Sequence, residues 1–262
     1  MNHKNNKISH QLRIRIKKLL NQLNHLTRIK NTSFTKIHEL RVNIKRWKVF
    51  FDFIDWLGGH SKKLEHQKQE LNILFGAAGK LRKAQIIVQK IKNKDINTKQ
   101  IKKLINKLNK IILRNANNFS FNSFQNRIKK YLQHLNCFDE ATLKILISDY
   151  KSDLIKRISL YKNFKNVKMI HSLRILARKI IDVQQFFPDT HSKGAQRSYN
   201  KIRKQLGLWH DELDFITYLK EKIKNGPKGA EKKLYKKYLI EAEKNLKSFL
   251  EVAKKQFLKL EK

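Results

Sequence analysis

Apolar residues return at three- and four-residue intervals along nearly the whole chain, the spacing that gathers them on one side of an α-helix. Punctuation falls at Asn31-Thr32-Ser33, Leu57-Gly58-Gly59-His60-Ser61, Asn93 to Thr98, Asn136 to Asp139, Asn163 to Asn166, Phe187-Pro188-Asp189 and Asn225-Gly226-Pro227-Lys228-Gly229. These polar, glycine- and proline-bearing stretches stop helices. Between them the pattern predicts roughly eight helices, over 8–29, 34–57, 62–92, 98–135, 139–162, 166–187, 192–224 and 229–260, with the fourth interrupted around Asn115 to Asn122. Two prolines and eight glycines in 262 residues are too few to turn the many short strands of a sandwich or barrel. The expected class is all-α.

Long helices joined by short loops, four to each half, suggest two antiparallel four-helix bundles, residues 1–137 and 138–262. The halves also echo one another. His38-Glu39-Leu40-Arg41 in the second helix returns as His171-Ser172-Leu173-Arg174 in the sixth, and Gly79-Lys80-Leu81-Arg82-Lys83 in the third as Gly207-Leu208-Trp209-His210-Asp211 in the seventh. Two motifs in the same order, on the same helix of each half, argue for duplication.

Charge changes the picture most. Sixty Lys and Arg against 21 Asp and Glu leave +39 with histidine neutral, and 40% hydrophobic content excludes a disordered basic tail. The excess is in both halves: 31 basic and 6 acidic residues over 1–137, 29 and 15 over 138–262. Such a domain repels itself, so a polyanion that relieves the repulsion is the expected partner. Residues 1–20 hold no apolar stretch fit for a signal peptide, and no run of about 18 apolar residues follows. Cys137 is the single cysteine, so neither an internal disulfide nor a cysteine metal site is available. The chain reads as a soluble cytoplasmic protein with no membrane partner.

The charge is ordered on the helices. With His38 at 0° and about 100° per residue, Arg41, Lys45 and Lys48 fall at about 300°, 340° and 280°. Leu40, Ile44, Trp47, Phe50, Phe51 and Ile54 lie between about 120° and 240°, the core face. The second copy repeats this: His171, Arg174 and Arg178 form the stripe, and Leu173, Leu176, Ala177, Ile180 and Phe187 the core. A cationic stripe bordering the core, present twice, suits an elongated anion, with Arg as a planar fork, Lys as a movable charge and His as a donor.

These segments resemble a known family. His38-Glu-Leu-Arg-Val-Asn-Ile-Lys-Arg and His171-Ser-Leu-Arg-Ile-Leu-Ala-Arg-Lys are similar to the paired signature of CHAD domains, the conserved histidine α-helical domain. Gly79-Lys-Leu-Arg-Lys and Leu206-Gly-Leu-Trp-His-Asp are similar to its second pair, and together the resemblance runs from about residue 8 to 260. It implies two pseudo-symmetric four-helix bundles with a shared basic groove or pore, and binding of inorganic polyphosphate with association to polyphosphate granules and their proteins. Carried over by position, it implies ligand contacts at His38, Arg41, Lys45, Arg46 and Lys48, at His171, Arg174, Arg178 and Lys179, and at Arg82 and His210. Charge and proximity in sequence add Lys80, Lys83, Arg203 and Lys204. Lys83 stands where the signature usually has Asp, which removes a salt-bridge partner for Arg82 and either frees it for ligand or alters the local geometry; in the second copy, Ile181 stands where a third basic residue is often found, against Lys48 in the first. The second-half site is therefore expected to be the weaker.

No catalytic constellation accompanies the stripes, so neither an enzyme, a metal nor a cofactor is expected. Glu241-Ala-Glu243-Lys244-Asn245 lacks the final lysine of a triphosphatase Glu-x-Glu-x-Lys strand and falls in a predicted helix, His210-Asp211 has no partner carboxylates at ligand spacing, and Gly76-Ala77-Ala78-Gly79 sits in a helical pattern that favours close packing over a phosphate loop. RNA or DNA is the main alternative partner, and its non-specific binding at low salt follows from charge alone. Against it, the stripes themselves carry no aromatics for base stacking. A helical scaffold whose charge serves solubility is the other alternative.

Overall fold

A computed structural model describes residues 7–28, 33–58, 62–92, 98–161, 164, 166–187, 193–226 and 229–258. Among them are nine helices and no strand: α1 (Lys7–Thr27), α2 (Phe34–Trp56), α3 (Lys62–Ile91), α4 (Lys99–Asn117), α5 (Phe121–Leu135), α6 (Glu140–Ser159), α7 (Val167–Phe186), α8 (Lys193–Asn225) and α9 (Ala230–Leu258). The all-α expectation holds, and the ends lie within a few residues of those read from the sequence. The ninth helix arises because the expected 98–135 helix is two. Asn115, Asn117, Asn118 and Ser120 bring side chains that compete for backbone groups, and the chain turns between α4 and α5 through Asn118, Phe119 and Ser120. Of the expected breaks, Asn31-Thr32, Gly59-His60-Ser61, 93–97, Asn163, Pro188-Asp189 and Pro227-Lys228 lie outside the described residues.

Local chemistry sets the described ends. Ser33 caps α2, its hydroxyl accepting from the Lys36 amide at 3.2 Å. Asp139 opens α6 by accepting from the Thr142 amide at 2.8 Å and its hydroxyl at 2.7 Å, bonds that hold the Asp139 carboxyl below the ordinary aspartate value. Asn166 accepts from the Met169 amide at 2.9 Å and opens α7. Past α2, Gly58 takes φ +80°, a left-handed conformation open to glycine and costly to other residues.

The chain forms two compact units. Unit 1 comprises Met1–Arg82, Lys107–Ile155 and Asp182–His191. Its core is aromatic: the Trp47 ring meets Phe124 edge-on at 5.0 Å and Phe50 at 5.9 Å, and Phe53 packs 5.3 Å from Tyr150 and 5.4 Å from Phe187. Every residue assigned to the core face of α2 is buried. Asn43, also buried, ties α2 to α1 by donating to the Leu19 carbonyl at 3.2 Å. Unit 2 comprises Lys83–Asn106, Lys156–Ile181 and Ser192–Lys262. It contains the α8–α9 hairpin, and buries Leu173, Ala177, Ile180 and Ile181 of α7 with Leu206, Trp209 and Leu219 of α8 and Ala253 and Phe257 of α9. Ile181, the departure from a basic pattern, is thus a core residue. The 1–137 and 138–262 division rests on the sequence repeat and remains an expectation.

Candidate cationic site

In unit 1 the stripe on α2 meets α3. Phe75 of α3 offers one ring to three cations: the Arg41 guanidinium lies 4.6 Å from its centroid, Lys48 Nζ 4.3 Å and Lys45 Nζ 5.7 Å. One turn on, Gly79 leaves room for the same arginine, since a methyl group there would stand 2.5 Å from Arg41 Nη1. A further turn along α3, Arg82 lies over the Phe34 ring at 3.6 Å, at the start of α2. Lys68 of α3 also pairs with Asp55 near the end of α2. These contacts follow one another in opposite order along the two helices, so α2 and this part of α3 run antiparallel. Arg41, Lys45 and Lys48 of the first motif and Arg82 of the second therefore lie along a shared α2–α3 face.

Within that face the residues differ. His38 is exposed, as is Lys80, which stands about 140° round α3 from Phe75; Arg41, Lys45, Arg46, Lys48 and Arg82 are half-buried. Arg46 stands about 80° round the helix from His38 on the flank away from Arg41, so it is not part of the stripe that meets Phe75. Phe75 and Phe34 add rings that the stripes themselves do not carry. The α2 stripe has none, but Phe75 of α3 backs its cations and Phe34, the first residue of α2, backs Arg82 of α3. The signal was available in the helix phase, because Phe75, Gly79 and Arg82 share one face of α3 at spacings of four and three.

Unit 2 brings part of the second set together, with a different backing. The His171 ring of α7 lies 5.4 Å from that of His210 on α8. His210 Nδ1 is 3.5 Å from an Asp214 carboxylate oxygen, and Lys83 Nζ is 3.0 Å from the other. The loss of Asp at position 83 thus gives Lys83 an acidic partner of its own, while Arg82 stacks on a ring. Lys90, two turns beyond Lys83, pairs with buried Glu212. Burial pushes the Arg174 pKa below the ordinary arginine value and Arg178 adds to this, while the Asp211 and Asp214 carboxylates act in the opposite direction. Arg174, Arg178, Lys179 and Arg203 are half-buried, and Lys204 is exposed. Carried across the offset between the second motifs, Phe75 corresponds to Arg203 and Asp214 to Ile86; across that between the first, Phe34 corresponds to Val167. The first set rests on rings, and the second shares a carboxylate.

Among the described residues, no group of three or more His, Cys, Asp or Glu is placed to hold a metal ion. Gly76 faces open space, and the Glu241–Lys244 segment lies on α9, with Glu243 pairing Lys220 at 3.1 Å. A concavity of about 500 Å³ in unit 1, between the end of α1 with Arg28 just beyond it and the α4–α5 turn around Phe119, is lined by none of the candidate residues. No helix among the described residues is long and apolar enough to cross a membrane.

The arrangement defines a helical protein with paired basic helix faces, and the solved structures supply its class. The chain is similar to the crystal structure of the CHAD domain from the plant Ricinus communis, with a TM-score of 0.62 and 14% identity over 94% of this chain and 91% of that one. The protein therefore has a CHAD-like fold, as the paired motifs led one to expect. No family model and no curated protein matches the sequence.

Proposed function

We propose that the protein binds inorganic polyphosphate without altering it chemically, through the His, Arg and Lys side chains of α2–α3 and of α7–α8, and that in the cell this carries it to cytoplasmic polyphosphate granules and their proteins. The observation that carries the reading is the gathering of Arg41, Lys45 and Lys48 around Phe75, beside a glycine that makes room for the arginine, on motifs that recur in the second half. The CHAD-like fold and the net charge of +39 support it. A naked phosphate polymer needs only charge and forked donors, which this face supplies.

Nucleic acid is the second reading, favoured by the exposed Phe34 ring next to Arg82. That ring, like Phe75, already carries a cation on its face, so it lends itself to positioning arginine more than to stacking a base. The deciding experiment is competition between long-chain polyphosphate and single-stranded RNA at about 150 mM salt, with a salt titration of each. Polyphosphate should win, and binding should fall by about 0.7 to 0.9 log units per log unit of salt for each phosphate engaged, roughly 10² to 10³ between about 50 and 200 mM for six phosphates. Equal affinity for RNA would defeat the proposal.

A further inference from the structure

In unit 2 a carboxylate already stands among the cations assigned to ligand. Asp214 presents one oxygen to Lys83 Nζ at 3.0 Å and the other to His210 Nδ1 at 3.5 Å, and its charge is felt by Arg174. Those partners come from three helices, Lys83 from α3, Arg174 from α7 and His210 from α8 itself. To such donors a carboxylate and a phosphate group look alike, each offering two acceptor oxygens and a negative charge. The corresponding position of the first copy is Ile86, which has no charge to offer. We infer that Asp214 is an internal competitor for the second cationic set: it holds the position of a ligand phosphate, and a phosphate chain engages Lys83 and His210 by displacing it.

The geometry permits the exchange. The Asp214 side chain is 23% exposed and that of Lys83 42%, so the pair stands at the surface, where the carboxylate can turn to water once a stronger anion arrives. Ion pairs at such exposure contribute little to stability, which leaves the fold tolerant of their loss. The inference rests on the polyphosphate reading for the natural ligand, but the competition itself concerns any phosphate.

The test compares Asp214→Asn with Glu243→Gln. The second change adds the same charge in the same unit and also releases a lysine, Lys220, from an ion pair of 3.1 Å, but outside the candidate set. Binding of end-labelled long-chain polyphosphate and of pyrophosphate is measured for both and for the parent across a salt series. Asp214→Asn should tighten both ligands about tenfold more than Glu243→Gln, the size of one charge-assisted hydrogen bond. Its polyphosphate salt slope should steepen by about 0.7 to 0.9, one further phosphate engaged. Equal gains in the two variants would reduce the effect to net charge, and weaker binding by Asp214→Asn would make Asp214 a support for the cations; either overturns the inference. Asp214→Ser provides the same comparison should the asparagine variant fail to fold. If the parent prefers RNA to polyphosphate, the proposed function fails, while the pyrophosphate comparison still decides the role of Asp214.

Discussion

At the scale of single residues, the first cationic set depends on a missing side chain. Gly79 lies inside α3, where glycine costs roughly 0.5–1 kcal/mol relative to alanine, yet a Cβ there would collide only with the tip of Arg41. Gly79→Ala should therefore favour the helix while pushing the guanidinium off Phe75. The expected result is an unchanged or slightly higher melting temperature with polyphosphate affinity about tenfold lower, the loss of one charged contact. Unchanged affinity would detach Arg41 from the site. Gly207, at the matching place in the second copy, faces open space, and a Cβ there would meet nothing within 4 Å, so Gly207→Ala is the natural comparison.

At the scale of helices, period and punctuation gave the elements because each carries a consistent buried stripe and a polar stop. The α2 and α7 core faces were readable residue by residue, since large apolar side chains recur there at helical spacing and all are buried. The stripes were readable for the same reason. What α3 and α8 bring to them was not: Phe75 against Arg41 and Asp214 against Lys83 depend on which helices pack and in what register, and periodicity along one helix does not encode that. The same limit hid Lys151. On α6 it adjoins the buried stripe of Leu143, Ile147, Tyr150 and Leu154, and burial pushes its pKa down to about 8. A lysine whose folded pKa is depressed binds fewer protons folded than unfolded between about pH 8 and 10.4, so stability rises with pH across that window, and the penalty is fully present below it. Lys151→Met should raise the melting temperature at pH 7, and the gap between variant and parent should narrow by pH 10. A constant gap would separate Lys151 from the titration.

At the scale of the whole molecule, the question is whether ordered cations or total charge governs binding. Arg41→Ala combined with Arg174→Ala removes two charges from the matched motif positions; Lys232→Ala with Lys233→Ala removes two from α9. The arginine pair should weaken polyphosphate binding by about 10²-fold if each contact is worth about tenfold, and the lysine pair should change it only a few-fold. Equal losses in an equilibrium titration would leave a diffuse cationic surface as the explanation. The duplication itself was legible because its motifs are short, ordered and far apart, and an inequality of the two copies was legible at Ile181; the partner of Lys83 was not, because Asp214 lies on another helix.

The Arg41–Gly79 contact also sets a rule for how this sequence can drift. Position 79 cannot grow without evicting its neighbour, and an arginine exchanged for a shorter residue at position 41 would lift that constraint. Two sites 38 residues apart are in this way coupled, and homologues that carry a side chain at position 79 should also carry a shorter residue at position 41.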